Sequence, residues 1–492
     1  MVKKQSIFIY GKAALVVLTV LISGIAGCQT PQSETKTGES TQPNVVLFYV
    51  DDLGWKDLSS YGSEFYQTPN VDKLAAEGIA FTNAYAACNV CSPSRASLMT
   101  GKYPARINVT DWITGWKFPY AKLNVPDWTM YLDTAHYTLA EAFRDEGYTT
   151  AHIGKWHLGE EEVFWPENQG FDINVGGWKK GSPNRNKNKG FNGYFPPFGN
   201  PRLEDKPGDN YLTDRLAQEA CRFLENTGDS PFYLNLWFYS VHTPLQAEKA
   251  KIEKYKSLVD SSYYQQNPVY AAMVEHMDLA IGKVVEKLKS EDLFENTIIL
   301  FTSDNGGLLG NKKRSVTNNY PLREGKGHSY EGGVRVPFIV YAPSLDEKNK
   351  KCDVPVITPD IYPTLLDLCN IPIRKDLTGE IDGKSLRTLL HNPEGSFSRE
   401  AVYWHYPHYH IQGATPHSAI RKGDYKLIHF YENDSFELYN LIEDIGETNN
   451  VIDEEVSIAA QMKMDLEEWI ENVDAQMPTV NNEYNPQKRN KH

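Results

Sequence analysis

The sequence predicts an α/β fold, a large mostly parallel sheet flanked by helices, joined to a smaller C-terminal antiparallel sheet plus helix. Three observations carry this. Residues 44–50, 232–240 and 297–303 are continuous β-branched and aromatic runs, the pattern of strands buried on both faces. Helical periodicity lies between them: residues 270–289 set Met273, Met277, Ile281, Val284 and Leu288 on one face, a core stripe. Beyond about residue 392 the texture changes to short alternating runs (400–404, 419–421, 425–431, 436–439) and then a helical stretch at 455–473.

At ~150 residues per domain, 492 residues suit about three domains, or one large α/β domain with a smaller partner. The 40% apolar and 12% aromatic content is that of a folded enzyme. A net charge of −14 disfavours nucleic acid and anionic lipid as partners, so an anionic substrate needs a local cluster of Lys, Arg and His. Six cysteines are too few for a disulfide scaffold.

Residues 1–27 read as a signal peptide: Lys3 and Lys4, an apolar run over 13–22, then small residues. Ile25-Ala-Gly-Cys28 resembles a bacterial lipobox, which predicts lipidation of Cys28 and a lipid-anchored protein of the bacterial cell envelope, periplasmic or surface-exposed. The apolar run is short for a membrane-spanning anchor, which takes ~20 residues. Residues 28–43 lack large apolar side chains and predict a disordered tether.

Residues 44–391 form the expected α/β catalytic domain. Its first strand ends in Asp51-Asp52, at the edge where open α/β sheets place ligands; two adjacent carboxylates there favour a cation between them. Residues 68–78 carry helix start and stop signals, and residues 79–86 read as a strand leading into Cys88-Asn-Val-Cys91-Ser-Pro-Ser-Arg95. Cys88 and Cys91 match a zinc half-site or a redox pair, but the next cysteine is Cys221, so the further zinc ligands are missing. A helix opening near Ser94 would turn its amides toward an anion. Lys155 and His157, two apart in Gly154-Lys-Trp-His-Leu-Gly159, share one side of an extended segment. Residues 165–207 predict a long excursion shaping a substrate mouth. The strand at 232–240 leads to His242, and the strand at 297–303 to Asp304-Asn305; Asp51, Asp52, Asp304 and Asn305 are four hard oxygen donors suited to Ca²⁺ and less exclusively to Mg²⁺ or Mn²⁺. Lys326 lies in a glycine-rich segment whose Glu331 and Arg335 predict a structural ion pair.

Residues 392–478 form the expected C-terminal α+β subdomain, and 479–492 a frayed tail. The run Trp404-His-Tyr-Pro-His408-Tyr-His410, followed by His417 and Arg421, is dense in imidazole and aromatic groups, and Trp112, Trp116 and Trp178 lie in loops able to stack on a sugar.

Cys91-Ser-Pro-Ser-Arg95 followed by Ala-Ser-Leu-Met-Thr-Gly101, with Gly154-Lys-Trp-His-Leu-Gly159, His242, Asp304-Asn305 and Lys326 in the same order, resembles the type I sulfatases of the alkaline phosphatase superfamily over residues 44 to about 475. The resemblance implies an alkaline-phosphatase-like fold and oxidation of Cys91 to Cα-formylglycine by a separate maturation enzyme. It implies one Ca²⁺, with Mg²⁺ as the alternative, held by Asp51, Asp52, Asp304, Asn305 and modified Cys91. Lys155 and Lys326 would hold sulfate, Arg95 orient the hydrated aldehyde, His242 protonate the leaving oxygen and His157 act as base. The His-Tyr-Pro-His-Tyr run resembles bacterial sulfatases acting on galactose or N-acetylgalactosamine 4-sulfate, which assigns His405, His408 and Arg421 to a sulfated carbohydrate. Two other readings are a phosphate or phosphonate monoester hydrolase of the same superfamily and an inactive glycan-binding lipoprotein.

Overall fold

Strand β1 (Asn44–Val50) is buried along its whole length and lies at the middle of the main sheet. The computed structural model describes residues 42–183, 192–311 and 314–491; the signal peptide, Cys28 and most of the tether lie outside them. Helix α1 (Pro69–Glu77) starts on proline and buries Val71, Leu74 and Ala75. There follow β2 (Ile79–Phe81), α2 (Cys91–Thr100), β3 (Thr149–Gly154), β4 (Ile173–Val175), α3 (Leu212–Leu224), β5 (Phe232–Trp237), α4 (Pro268–Ser290), β6 (Thr297–Ser303), β7 (Phe338–Tyr341) and β8 (Lys350–Cys352).

The strands order as β8-β2-β7-β6-β1-β5-β3-β4. From β6 to β4 all pairings are parallel, while β7 runs antiparallel to both β6 and β2. Alternation along β1 explains its unbroken apolar run. Val46, Phe48 and Val50 pack with Leu216 of α3 and Met273, Met277 and Ile281 of α4, whereas Val45, Leu47 and Tyr49 pack with Ala96, Leu98 and Met99 of α2. The methionine stripe is core, as its spacing predicts.

The C-terminal part is a four-stranded antiparallel meander, β9 (Ala401–Tyr406), β10 (His417–Lys422), β11 (Tyr425–Phe430) and β12 (Ser435–Asn440), covered by α5 (Val456–Asn472). Its core includes Tyr85, Tyr103, Val334 and Ile357 from the larger part, so position 391/392 separates two sheets and not two independent bodies. The expected frayed tail is corrected. Strand β13 (Thr479–Val480) pairs with the short strand Leu123–Asn124, and the Asn481 amide donates to the carbonyls of Pro119 (3.0 Å) and Ala121 (2.8 Å). Backbone pairing plus a buried Asn side chain gives these polar residues the partners that composition alone does not reveal.

Between the two sheets lies a buried ion network. Lys426 Nζ reaches Glu331 Oε1 at 2.9 Å and Glu447 Oε1 at 3.1 Å, with all three side chains fully buried. Arg335 and the Tyr85 hydroxyl donate to Glu331 Oε2 at 3.2 and 2.8 Å. Glu331 thus has three donors and stays ionised, while burial pushes Glu447 up to about 7 against the pull of Lys426. A carboxyl raised in the folded state is one the fold prefers protonated. Its contribution is complete below the unfolded value of 4.5 and is lost as pH rises through about 7. Glu447→Gln should therefore flatten the fall in Tm between pH of about 5 and 8, by an amount worth on the order of 1–3 kcal/mol; a variant whose Tm falls as steeply as wild type would contradict the assignment.

Candidate active site

The parallel register delivers the site. Val50 of β1 pairs with Ser303 of β6, so Asp51 and Asp304, the next residues, emerge side by side. Gly154 of β3 pairs with Trp237 of β5, and the Lys155 amide donates to the Trp237 carbonyl at 2.8 Å, which sets Lys155 at the same edge. These are the carboxyl ends of parallel strands, where α/β sheets leave a crevice. Asp52 and His157 hold left-handed backbone, φ 61° and 63°, an uncommon conformation for non-glycine residues that clusters at functional sites.

Cys91 is the first residue of α2, behind extended Val90 and 3% exposed, so its side chain stands where the helix amides favour an anion. Its Sγ lies 3.3 Å from His157 Nδ1. His157 Nε2 lies 2.5 Å from the Ile113 carbonyl, which can only accept; Nε2 therefore carries the proton and Nδ1 presents a lone pair to residue 91. Burial and the positive charge of Lys155 hold this imidazole neutral, well below its ordinary pKa. His242 has the opposite arrangement: Nδ1 donates to the Thr243 carbonyl at 2.7 Å, leaving Nε2 open, 3.6 Å from Asp52 Oδ2. Burial, then Lys326, pull His242 down to about 3.

Three carboxylates meet three cations here. Lys155 Nζ contacts Asp51 Oδ2 at 2.7 Å, Lys326 Nζ contacts Asp52 Oδ1 at 2.6 Å, and Arg95 donates to Asp304 Oδ2 at 2.9 and 2.7 Å. Burial works against the charge of Lys326, but Asp52 outweighs it and holds the ammonium protonated. Asp51 Oδ1, Asp52 Oδ2 and Asn305 Oδ1 are buried without a hydrogen-bond partner. Among the described residues, ligand atoms of Asp51, Asp52 and His242 lie within 4.8 Å of one another. Orphaned hard oxygens converging beside buried carboxylates are what a divalent cation completes, so the residues present fit such an ion.

A cavity of about 380 Å³ opens from this edge, with Cys91, His157, His242 and Lys326 at its base and Trp112 and Trp116 on its wall. The structure moves several expected residues. Lys155 is fully buried, does not line the cavity and is committed to Asp51. The hydrogen bonds of Arg95 go to Asp304 and the Lys155 carbonyl rather than to residue 91. His405, His408 and Arg421 are corrected as sugar contacts, since none lines the cavity. His405 bonds Ser418 Oγ (2.7 Å) and the Gln476 carbonyl (3.0 Å), His408 bonds Thr110 Oγ1 (2.8 Å), and Arg421 reaches the Tyr85 hydroxyl. Trp178 packs against the core beneath.

The cavity is instead lined by His410, Ile411 and Gln412 from the far end of the same histidine run, and by Glu160, Lys179 and Lys180. His410 fits beside Lys326 because residue 327 is glycine; a Cβ there would stand 2.1 Å from His410 Nδ1. The run itself flagged the region. Only the packing selects which histidine faces inward.

A family model described as Sulfatase matches residues 43–371, and one described as N-sulphoglucosamine sulphohydrolase, C-terminal, matches residues 325–476. A Sulfatase of Formosa agariphila is 33% identical, covering 89% of this chain and 90% of its own length. The Ulvan-active sulfatase of the same organism is 31% identical over 89% of this chain and 82% of its length. Among solved structures, Ps i-CgsB in complex with k-i-k-neocarrahexaose superposes with a TM-score of 0.72 at 29% identity, covering 87% of this chain and 93% of that one.

Bound only by the folded site, a divalent ion adds stability by mass action. Adding Ca²⁺ to EDTA-treated protein at ~100 times its Kd should restore about 2.7 kcal/mol, read as a rise in Tm. Asp304→Asn should lose that response; an unchanged response would place the ion elsewhere.

Proposed function

Because this chain belongs to the sulfatase family, a sulfuric ester hydrolase with an alkaline-phosphatase-like fold, we propose that it cleaves sulfate monoesters on a carbohydrate through formylglycine at position 91 and one divalent cation, Ca²⁺ in the first instance. The observation that carries this is the setting of residue 91: first in a helix, 3.3 Å from an unprotonated imidazole nitrogen, at the base of a cavity beside three buried carboxylates and three cations. The relatives named as sulfatases favour sulfate over phosphate esters, and the buried carboxylates, cations and histidines around residue 91 favour catalysis over glycan binding alone.

The Cys91 sulfur marks where an aldehyde oxygen would stand. A hydrated aldehyde there would supply a hydroxyl nucleophile, and Asp51, Asp52, Asp304 and Asn305 would hold a cation that, when bound, would favour the ionised hydroxyl. The chain's own groups do the rest. Lys326, an ammonium at the cavity base, holds the sulfate oxygens as charge develops on them. Lys155 and Arg95 hold Asp51 and Asp304 in place. His157 Nδ1 takes the proton from residue 91. His242 is neutral at rest; an incoming sulfate brings negative charge beside its open Nε2, favouring the imidazolium that then protonates the leaving sugar oxygen.

His410, at the cavity wall beside Lys326, replaces His405 and His408 as the histidine placed to touch the sugar. Galactose or N-acetylgalactosamine 4-sulfate remains the first substrate to try. The partners in this reading are a formylglycine-generating enzyme and, through lipidated Cys28, a bacterial envelope membrane; both rest on the sequence.

Protein co-expressed with a maturation enzyme should yield a residue-91 peptide about 18 Da lighter than the cysteine form, and turnover of sulfated sugars should follow the modified fraction; an unmodified thiol in fully active protein would refute the mechanism. His242→Ala should cut kcat/KM on a sugar sulfate by ~10²-fold or more while costing far less on 4-nitrophenyl sulfate, whose leaving group needs no proton. Equal losses on the two substrates would remove His242 as the acid.

A further inference from the structure

The charges of the inner site are matched one to one, Asp51 with Lys155, Asp52 with Lys326 and Asp304 with Arg95. Lys179 and Lys180 stand outside that balance. Both line the cavity, Lys179 half-buried and Lys180 exposed, and among the described residues neither forms an ion pair. Glu160 is the one carboxylate among the lining residues. The sequence carries no Asp or Glu from residue 173 to residue 203, in a chain whose net charge is −14.

Their position is held from both sides. The Trp178 carbonyl accepts the His157 backbone N–H at 3.2 Å. Gly181 lies against the His157 ring so closely that a Cβ would stand 2.2 Å from its Cε1. The two lysines are therefore the two residues between a pair of contacts with the histidine that faces residue 91. Trp112 and Trp116, with ring centroids 5.4 Å apart, add aromatic surface to the same cavity. At about 380 Å³ the space lies within the ~300–1,000 Å³ of sites that enclose whole ligands, more than a sulfate alone requires.

We propose that Lys179 and Lys180 form a subsite for a second anionic group, a sulfate or a carboxylate, on the sugar ring next to the one bearing the scissile sulfate. The preferred substrate is then a multiply charged oligosaccharide. Cations with no ion-pair partner among the described residues bind an anion fixed at one distance from the reacting group, whereas Lys326 at the base is already engaged by Asp52 and by the scissile sulfate. This inference rests on the sulfatase reading.

The test compares three synthetic disaccharides: one with a single scissile sulfate, one with a second sulfate on the neighbouring ring and one with a uronate there. Wild type should favour a dianionic substrate in kcat/KM, and Lys179→Ala/Lys180→Ala, checked for unchanged Tm, should lower that preference about tenfold through KM. Which dianion loses more assigns the group. An equal loss on all three would make the lysines a steering field and overturn the subsite, as would no loss on any. Wild type that, after confirmed modification of residue 91, releases sulfate from none of the three disaccharides and not from 4-nitrophenyl sulfate would overturn the sulfatase reading itself, which separates the two failures.

Discussion

Three carboxylates and three cations are buried together at one edge of the main sheet, with Asp51, Asp304, Arg95 and Lys155 at 0% exposure, Asp52 at 1% and Lys326 at 9%. Each ion taken from water costs several kcal/mol, repaid only when partners are close and remaining lone pairs are met. Much of the surrounding geometry follows from that demand. Asp51 and Asp304 are forced adjacent by the β1–β6 register. Arg95 lies one helical turn beyond residue 91 and stacks on Tyr49 and Trp237, so one guanidinium ties the helix to the strand end while neutralising Asp304. The orphaned oxygens of Asp51, Asp52 and Asn305 are the part of the balance that the side chains leave open.

A second layer holds the reactive histidine in one protonation state. The Ile113 carbonyl fixes His157's tautomer, and the loop bearing it is held in turn by Asp111. The Asp111 carboxylate accepts from the Trp112 amide at 2.8 Å and from the Tyr406 hydroxyl at 3.0 Å, and burial pushes it up to about 8. Tyr406 belongs to β9, so the small C-terminal sheet reaches the chemistry through a loop and a carbonyl. The docked tail acts on the same stretch of chain, pairing with Leu123–Asn124 and binding the carbonyls of Pro119 and Ala121. What looks like an appended subdomain supplies His410, Ile411 and Gln412 to the cavity lining, and the apparent loose end braces the chain a few residues beyond Trp116.

The outer cavity obeys different physics from its base. At the base, position is set by strand register and by buried ion pairs. At the mouth, Lys180 and Glu160 stand on exposed loops, whose side chains meet ligands of varied shape and charge. One family can thus keep a fixed reaction centre and change its substrates through the surrounding loops.

The fold class, the strand-end carboxylates and the motif at residue 91 were legible in the sequence because each is a local pattern. A doubly buried strand shows as an unbroken apolar run, and a ligand at its end as a charge directly after it. The same held for Glu331 and Arg335, four residues apart and paired at 3.2 Å. Packing between distant segments decided the rest. It buried His405 and His408 and turned His410 into the cavity, took Lys155 off the wall, committed Arg95 to Asp304, and tied down the end of the chain. The direction of a histidine in an alternating run, or the partner of a lysine, depends on which remote backbone fills the space beside it, as Gly327 does for His410 and Gly181 for His157. Such contacts have no periodicity along the chain, so only the tertiary structure fixes them.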